Sequence, residues 1–302
     1  MWIVTPYFVP DDPLLLAIRT AALRGVDVRV YATSALGADA TELGDRVVPL
    51  FRPRPRPRRI DLWADLLAVI DAARRDAPDV IHLCNAGLAP WIPALRAALP
   101  CAVTANVHGN DLIAPWVAHG GAPARYAAAQ RAGLAAADAV ICVSRFSRGL
   151  AAARGVPDDR LHVVENGVEL ARFCPGPRDP GLGARLGLAA DAEVVLTVAR
   201  LAPRKGHRAA IAAITRLAAT RPRLRYVYTG ASEAVRAELA AHAAALGVGD
   251  RVIAAGVIAD AELPALYRWA DVFALLADDD PGDVEGFGVA LIEAAEIGRA
   301  HV

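Results

Sequence analysis

Lysine is scarce in the 302 residues, and arginine supplies almost all of the positive charge, as a GC-rich genome would give. Cysteine is scarce too. Cys84, Cys101, Cys142 and Cys174 are widely spaced, with no Cys-x-x-Cys pair and no zinc spacing. A disulfide framework is therefore excluded, and four reduced, mostly buried thiols of a cytoplasmic protein are expected. Net charge is absent: 33 basic residues balance 33 acidic ones, which argues against a general nucleic-acid binder. No apolar run reaches the roughly 20 residues of a membrane span. No signal peptide is expected, because the start lacks basic residues and turns polar at Asp11. Apolar residues make up 55% and charged residues 22%, which supplies a core and excludes a disordered chain. The length suits one large or two medium domains.

Strand and helix patterns alternate along the chain. Strands are expected at Trp2–Val4, Val26–Tyr31, Asp79–Leu83, Ala102–Val107, Ala139–Val143 and Leu161–Val164, with helices at Asp11–Leu23, Asp61–Arg75 and Trp91–Ala98. Leu62, Trp63, Leu66, Leu67 and Ile70 form the apolar set of the Asp61–Arg75 helix. The preceding stretch Arg52 to Arg59 alternates arginine with proline, which forbids helix and ladder pairing. Such a basic loop beside a Trp-bearing helix suits peripheral contact with an anionic membrane, or the helix simply packs on a sheet. The Pro/Gly-rich stretch Cys174–Gly183 reads as an interdomain linker. A second alternation follows, with strands at Val194–Val198, Tyr226–Thr229, Val252–Ala254 and Val272–Leu276. Two α/β halves follow from this, one over residues 1–170 and one over 171–302.

Near the end, Glu285-Gly286-Phe287-Gly288 precedes an apolar helix from Val289, with Glu293 about one turn inside it. The glycines let several N–H groups gather at the helix start, where anions and acceptor oxygens are favoured. Carboxylates beside such N–H groups suit a polyhydroxylated, anionic ligand; the plainer reading is a glycine loop with a surface Glu. Arg200 and Lys205 flank a strand-to-helix turn where two cations can meet a diphosphate, or are two solvated charges. His108 ends an expected parallel strand, where open α/β sheets bind ligands. The acidic run Asp278–Asp280 with Asp283 is read as solvated rather than as a metal site, and no metal is expected.

Glu, seven residues, Glu around a Gly-Phe-Gly turn resembles the signature of retaining glycosyltransferases of family 4. Four further stretches match in order: NVHGND from Asn106, ADAVICVSRFSRGL from Ala137, HVVENGVELARF from His162 and VARLAPRKG from Val198. The resemblance covers roughly Val26 to Ala295. It implies the GT-B fold, two Rossmann-like doubly wound domains facing a cleft, the first on the acceptor side and the second binding a nucleotide sugar. It further implies that Arg200 and Lys205 hold the diphosphate and that Glu293 accepts from the ribose hydroxyls. Glu285 and the backbone of Gly286, Phe287 and Gly288 would contact the donor sugar. His108 would approach that sugar from the first domain, and Asp111 would contact acceptor or sugar. Neither a cofactor nor a protein nucleophile is implied. The acidic loop leading into DVEGFG resembles lipid-linked mannosyltransferases that use GDP-mannose, with UDP-sugars open, and the acceptor is a lipid, glycan or small molecule.

The two ends depart from this pattern. Residues 2–30 resemble a segment of cardiolipin synthases in the phospholipase D superfamily, and the glycine loop usual after the first strand is missing. No histidine is followed two residues later by lysine, so the His-x-Lys chemistry of that superfamily is absent. At the other end, Glu296 to Val302 departs from the family and matches the peptide encoded by a common sequencing adapter, so a second domain incomplete at its C-terminus is expected. The alternatives to a working glycosyltransferase are an incomplete or chimeric fragment that at most binds nucleotide, and, disfavoured, a phospholipid enzyme.

Overall fold

A computed structural model describes residues 2–8, 24–36, 47–49, 59–113, 123–278 and 284–301. The helix expected over Asp11–Leu23, the basic stretch Arg52 to Arg58 and the acidic residues Asp279, Asp280 and Asp283 lie outside them. The chain forms two units, Met1–Asn166 with Pro281–Phe287, and Gly167–Asp280 with Gly288–Val302. The break falls just ahead of the boundary expected after residue 170.

The first unit is built on seven parallel strands: β1 (Trp2–Phe8), β2 (Arg29–Leu36), β3 (Val47–Pro49), β4 (Val80–Leu83), β5 (Ala102–Val107), β6 (Ala139–Cys142) and β7 (Leu161–Val163). Their order is β3-β2-β1-β4-β5-β6-β7. Parallel neighbours need crossover connections. These run through α1 (Arg59–Asp76), α2 (Ile92–Ala98), α3 (Pro123–Ala136) and α4 (Arg145–Ala152). Along α1, Leu66, Val69, Ile70 and Ala73 recur at helical spacing and pack on Ile81 and Leu83. Leu67, expected on that face, is 64% exposed, because one residue further turns the side chain by about 100°. Strand β2 starts later than expected: Val26 and Asp27 are exposed and the ladder begins at Arg29. Ser144 caps α4 in a reciprocal capping box with Ser147.

The second unit carries five parallel strands: β8 (Glu193–Thr197), β9 (Leu224–Thr229), β10 (Val252–Gly256), β11 (Val272–Phe273) and β12 (Ala300–His301), in the order β10-β9-β8-β11-β12. Its helices are α5 (Pro180–Arg185), α6 (His207–Leu217), α7 (Glu233–Ala245), α8 (Leu263–Trp269) and α9 (Val289–Glu296). Successive strand residues face opposite sides. Val194, Leu196, Val227 and Phe273 fill one face with α8 and α9, while Val195, Tyr226 and Tyr228 fill the other with α6 and α7. Both faces are thus covered, as a parallel sheet requires. In each sheet the chain steps outward one way and then reverses, between β1 and β4 in the first and between β8 and β11 in the second.

The stretch expected as a linker, Cys174–Gly183, is instead part of the second unit's packing. Arg268 Nε donates to the Cys174 carbonyl (3.1 Å), Trp269 Nε1 donates to the Asp179 carbonyl (2.8 Å), and Asp179 caps α5. Pro180 marks a helix N-terminus here rather than a loop. Ile297 is buried in the same core, and Ala300–His301 pair with β11 as a fifth strand. All four cysteines are unbridged, but only Cys142 is fully buried, the other three being half-buried. Among the described residues no helix is long and apolar enough to cross a membrane.

Asp179 Oδ1 accepts from the N–H groups of Gly181 and Leu182. Asp179→Ala removes this cap and is expected to cost about 1 kcal/mol, read as a lower urea midpoint at unchanged slope. Asp179→Asn should retain most of the stability, and an unchanged midpoint for the alanine variant would contradict the assignment.

Candidate functional site

The second sheet reverses its strand order at β8 and β11, and the turns leaving those two strands are tied together. Thr197, the last residue of β8, donates its hydroxyl to the Ala274 carbonyl just past β11 (2.6 Å). Tyr226 donates to Thr197 Oγ1 (3.0 Å), so its single proton is committed, and His207 Nδ1, 2.9 Å away, must be the donor to Tyr226. One run of hydrogen bonds therefore fixes the first residue of α6 to three strands. Burial, and then the Lys205 charge against a backbone bond at Arg200, holds the His207 pKa below its ordinary value, consistent with a neutral ring.

Ahead of His207, Pro203–Lys205 forms a single 3₁₀ turn closed by Gly206. Gly206 is left-handed at φ 72°, and a Cβ there would lie 2.0 Å from the Leu276 carbonyl oxygen. The backbone N–H of Asp278 donates to the Arg204 carbonyl (2.9 Å). The two segments after β8 and β11 are thus hydrogen-bonded and in contact at the reversal point, where open α/β sheets form their ligand crevice. Of the two cations expected to act together, Lys205 is only 8% exposed while Arg200 is exposed. Arg204, 6% exposed beside Lys205, was not expected; a charge next to proline in a turn carries no signal of burial. Lys205 is also the one lysine among the chain's 33 basic Lys and Arg residues.

Gly288, left-handed at φ 78°, is the N-cap of helix α9, and among the described residues no side chain caps it. Glu293 lies one turn inside, half-buried, and its Oε2 accepts the Tyr267 hydroxyl at 2.6 Å.

In the first unit, His108 follows β5 and is exposed. Its Nε2 lies 2.9 Å from the Cys84 carbonyl, an acceptor only, so this nitrogen carries the proton. Asp111, expected at acceptor or sugar, has both oxygens engaged by the backbone: Oδ1 accepts from His108 N and Oδ2 from Ala86 N, each at 3.0 Å. It braces the loops after β4 and β5 together. Gln130 Nε2 donates to the Ala86 and Asp111 carbonyls from behind. Burial lowers the His82 pKa to about 4, and burial pushes the Cys84 thiol up to about 12, so neither is charged at neutral pH. Residues 284–287, carrying Glu285, Gly286 and Phe287, are counted with this unit. Ser144 Oγ donates to the Gly286 carbonyl (2.6 Å), and a Cβ on Gly286 would lie 1.7 Å from the His108 carbonyl oxygen. The structure thus brings His108 beside Gly286 in one unit, and sets Lys205, Gly288 and Glu293 in the other. Among the described residues no cluster of three or more His, Cys, Asp or Glu could hold a metal ion.

Residues 14–172 match the family model Glycosyltransferase Family 4, and residues 183–302 match Glycosyl transferases group 1. The chain belongs to glycosyltransferase family 4. This glycosyltransferase is 31% identical over 315 residues to the GDP-mannose-dependent alpha-(1-6)-phosphatidylinositol monomannoside mannosyltransferase of Mycolicibacterium smegmatis, covering 99% of the chain and 78% of the relative. It is 30% identical over 305 residues to D-inositol 3-phosphate glycosyltransferase 1 of Catenulispora acidiphila, with 94% and 71% covered. Among solved structures, Anabaena HepE in complex with UDP and glucose superposes at a TM-score of 0.75 with 22% identity, covering 100% of this chain and 80% of that one. The fold is GT-B, two Rossmann-like domains, and the enzyme uses a nucleotide-sugar donor.

Gly206→Ala places a side chain against the Leu276 carbonyl in a left-handed turn and should cost the glycosyltransferase about 2 kcal/mol or more. A fall in thermal midpoint is expected, and a variant as stable as the parent would show that the turn moves without cost.

Proposed function

We propose that this glycosyltransferase transfers mannose from GDP-mannose, with retention at the anomeric carbon, to a hydroxyl of an inositol-phosphate-bearing acceptor. The observation that carries the donor half is the buried Lys205 turn at the β8–β11 reversal, in the same unit as the uncapped start of α9 and as Glu293. A helix N-terminus and an ammonium group both favour a diphosphate. Glu293 suits ribose hydroxyls, since a carboxylate accepts from two neighbouring O–H groups. The donor and acceptor classes are supported by the activities for which the two bacterial relatives are named.

Retention needs no protein nucleophile when the departing phosphate oxygen and the acceptor oxygen share one face of the sugar. The bond from the anomeric carbon to the diphosphate breaks, the bond to the acceptor oxygen forms, and the acceptor proton passes to the departing phosphate oxygen. Lys205, joined by Arg200, stabilises the charge that develops on the diphosphate. Glu285, with the backbone of Gly286, Phe287 and Gly288, contacts the donor sugar. His108, proton on Nε2, meets the same sugar through its other ring edge, and Asp111 acts by holding the His108 backbone in place. A lipid-borne acceptor would bring the basic stretch Arg52 to Arg59 to an anionic surface.

A panel of GDP-mannose, UDP-glucose and UDP-N-acetylglucosamine against inositol phosphate and phosphatidylinositol acceptors tests this. GDP release with a mannosylated product of unchanged anomeric configuration is expected, while turnover confined to a UDP-sugar would overturn the donor assignment. Lys205→Ala should lower kcat on the order of a hundredfold, about 3 kcal/mol, because its contact strengthens as the leaving group forms. Glu293→Ala should instead raise the donor KM, since ribose contacts are similar in ground and transition states. Parental kcat and KM for Lys205→Ala would mean the turn is only a turn.

A further inference from the structure

We infer that Tyr267 is a positioning residue for Glu293, fixing the carboxylate that meets the donor ribose. Tyr267 lies in α8 and is fully buried. Its ring is clamped edge-on by Phe173 at 5.9 Å between centroids and tilted against Phe273 at 5.6 Å. The hydroxyl leaves this apolar cluster in one direction, toward Glu293 Oε2 at 2.6 Å. That distance is the range of an O–H donor to a charged carboxylate. Burial, and then the charge of Glu293, raises the Tyr267 pKa, so the phenol keeps its proton and remains the donor.

The consequence follows from side-chain freedom. A glutamate has three rotatable bonds, and a half-buried one on a helix samples several rotamers unless something holds it. One holder here is a rigid ring two elements away in sequence, whose own rotamer is set by two aromatic neighbours. A carboxylate oxygen has two acceptor sites, so the Tyr267 bond leaves Glu293 with acceptor capacity whose direction is now defined. A pre-set acceptor binds without the entropic cost of ordering it on contact. The sequence separation of 26 residues and the absence of any motif linking Tyr267 to Glu293 hide the pair from sequence reading.

This role rests on the ribose assignment for Glu293, and the test separates the two. Calorimetry on the 302-residue chain compares GDP and UDP with their 2′,3′-dideoxy analogues. The parent should bind one ribonucleotide on the order of tenfold more tightly than its dideoxy form. Tyr267→Phe, which removes one oxygen and keeps the ring, should shrink that ratio about threefold or more by weakening the ribonucleotide alone. Glu293→Gln should collapse the ratio by itself, and adding Tyr267→Phe to it should produce little further loss, since Tyr267 acts only through Glu293. Ile214→Val, in the core on the opposite face of the sheet, should lower the thermal midpoint and keep the ratio. A folded Tyr267→Phe variant with the parental ratio, beside a Glu293→Gln variant whose ratio collapses, would make Tyr267 a core residue only. A parental ratio in Glu293→Gln, or no binding of either nucleotide, would overturn the ribose assignment and the role of Tyr267 with it.

Discussion

Thr197 and Ala274 are 77 residues apart and share one hydrogen bond, hydroxyl to carbonyl, across the seam between β8 and β11. The rest of the second unit depends on that seam. A parallel sheet whose strands step outward and then reverse leaves its two central strands with connections departing to opposite faces, and the gap between those connections is where a ligand can enter. For the gap to recognise anything, the turns must be rigid. Gly206 against the Leu276 carbonyl, the Asp278 N–H on the Arg204 carbonyl, and the His207–Tyr226–Thr197 run supply that rigidity without involving a ligand. The ammonium of Lys205 is then held on a turn that cannot easily reorganise, the condition under which a fixed charge acts on a transition state.

The first unit uses the same device with different chemistry. Its exposed histidine is held at two points, the ring by the Cys84 carbonyl at Nε2 and the backbone N–H by Asp111. Asp111 reaches across to Ala86 and so couples the ends of β4 and β5, much as the Thr197 bond couples β8 and β11. Further from the strand ends, Asp138 accepts the Val103 N–H at 2.8 Å and pairs with Arg96, joining β5 to the start of β6 and to α2. At these places polar side chains tie neighbouring crossovers where the backbone leaves the ladder.

Much of this was legible in the residues. Ala102–Val107 alternates and lies between turns, and the strand matches the expectation residue for residue. The Gly-Phe-Gly turn and the helix from Val289 fall where the pattern put them. Other parts were hidden for physical reasons. Strand β11 pairs over only two residues, because beyond Phe273 the chain turns to meet Gly206, although Ala274 to Leu276 read as more strand. Strand β3 is three residues long at a sheet edge and ends in proline, too short to show a period. Cys174 to Gly183 reads as a linker because proline and glycine dominate it, yet its order comes from Arg268 and Trp269, some 90 residues on. The burial of Arg204 and the bond from Tyr267 to Glu293 are long-range facts of the same kind.

Lys205 offers a direct probe of the central claim, that the turn at the β8–β11 reversal receives the donor diphosphate. It is the only lysine in the chain, so protein labelled with carbon-13 at the lysine Cε gives one signal from one site. Titration with GDP, and in parallel with UDP, should shift that signal saturably along the calorimetric binding curve for the nucleotide that binds, while the matching nucleoside at saturation leaves it in place. A diphosphate that binds by calorimetry with the Lys205 signal unmoved would contradict the account.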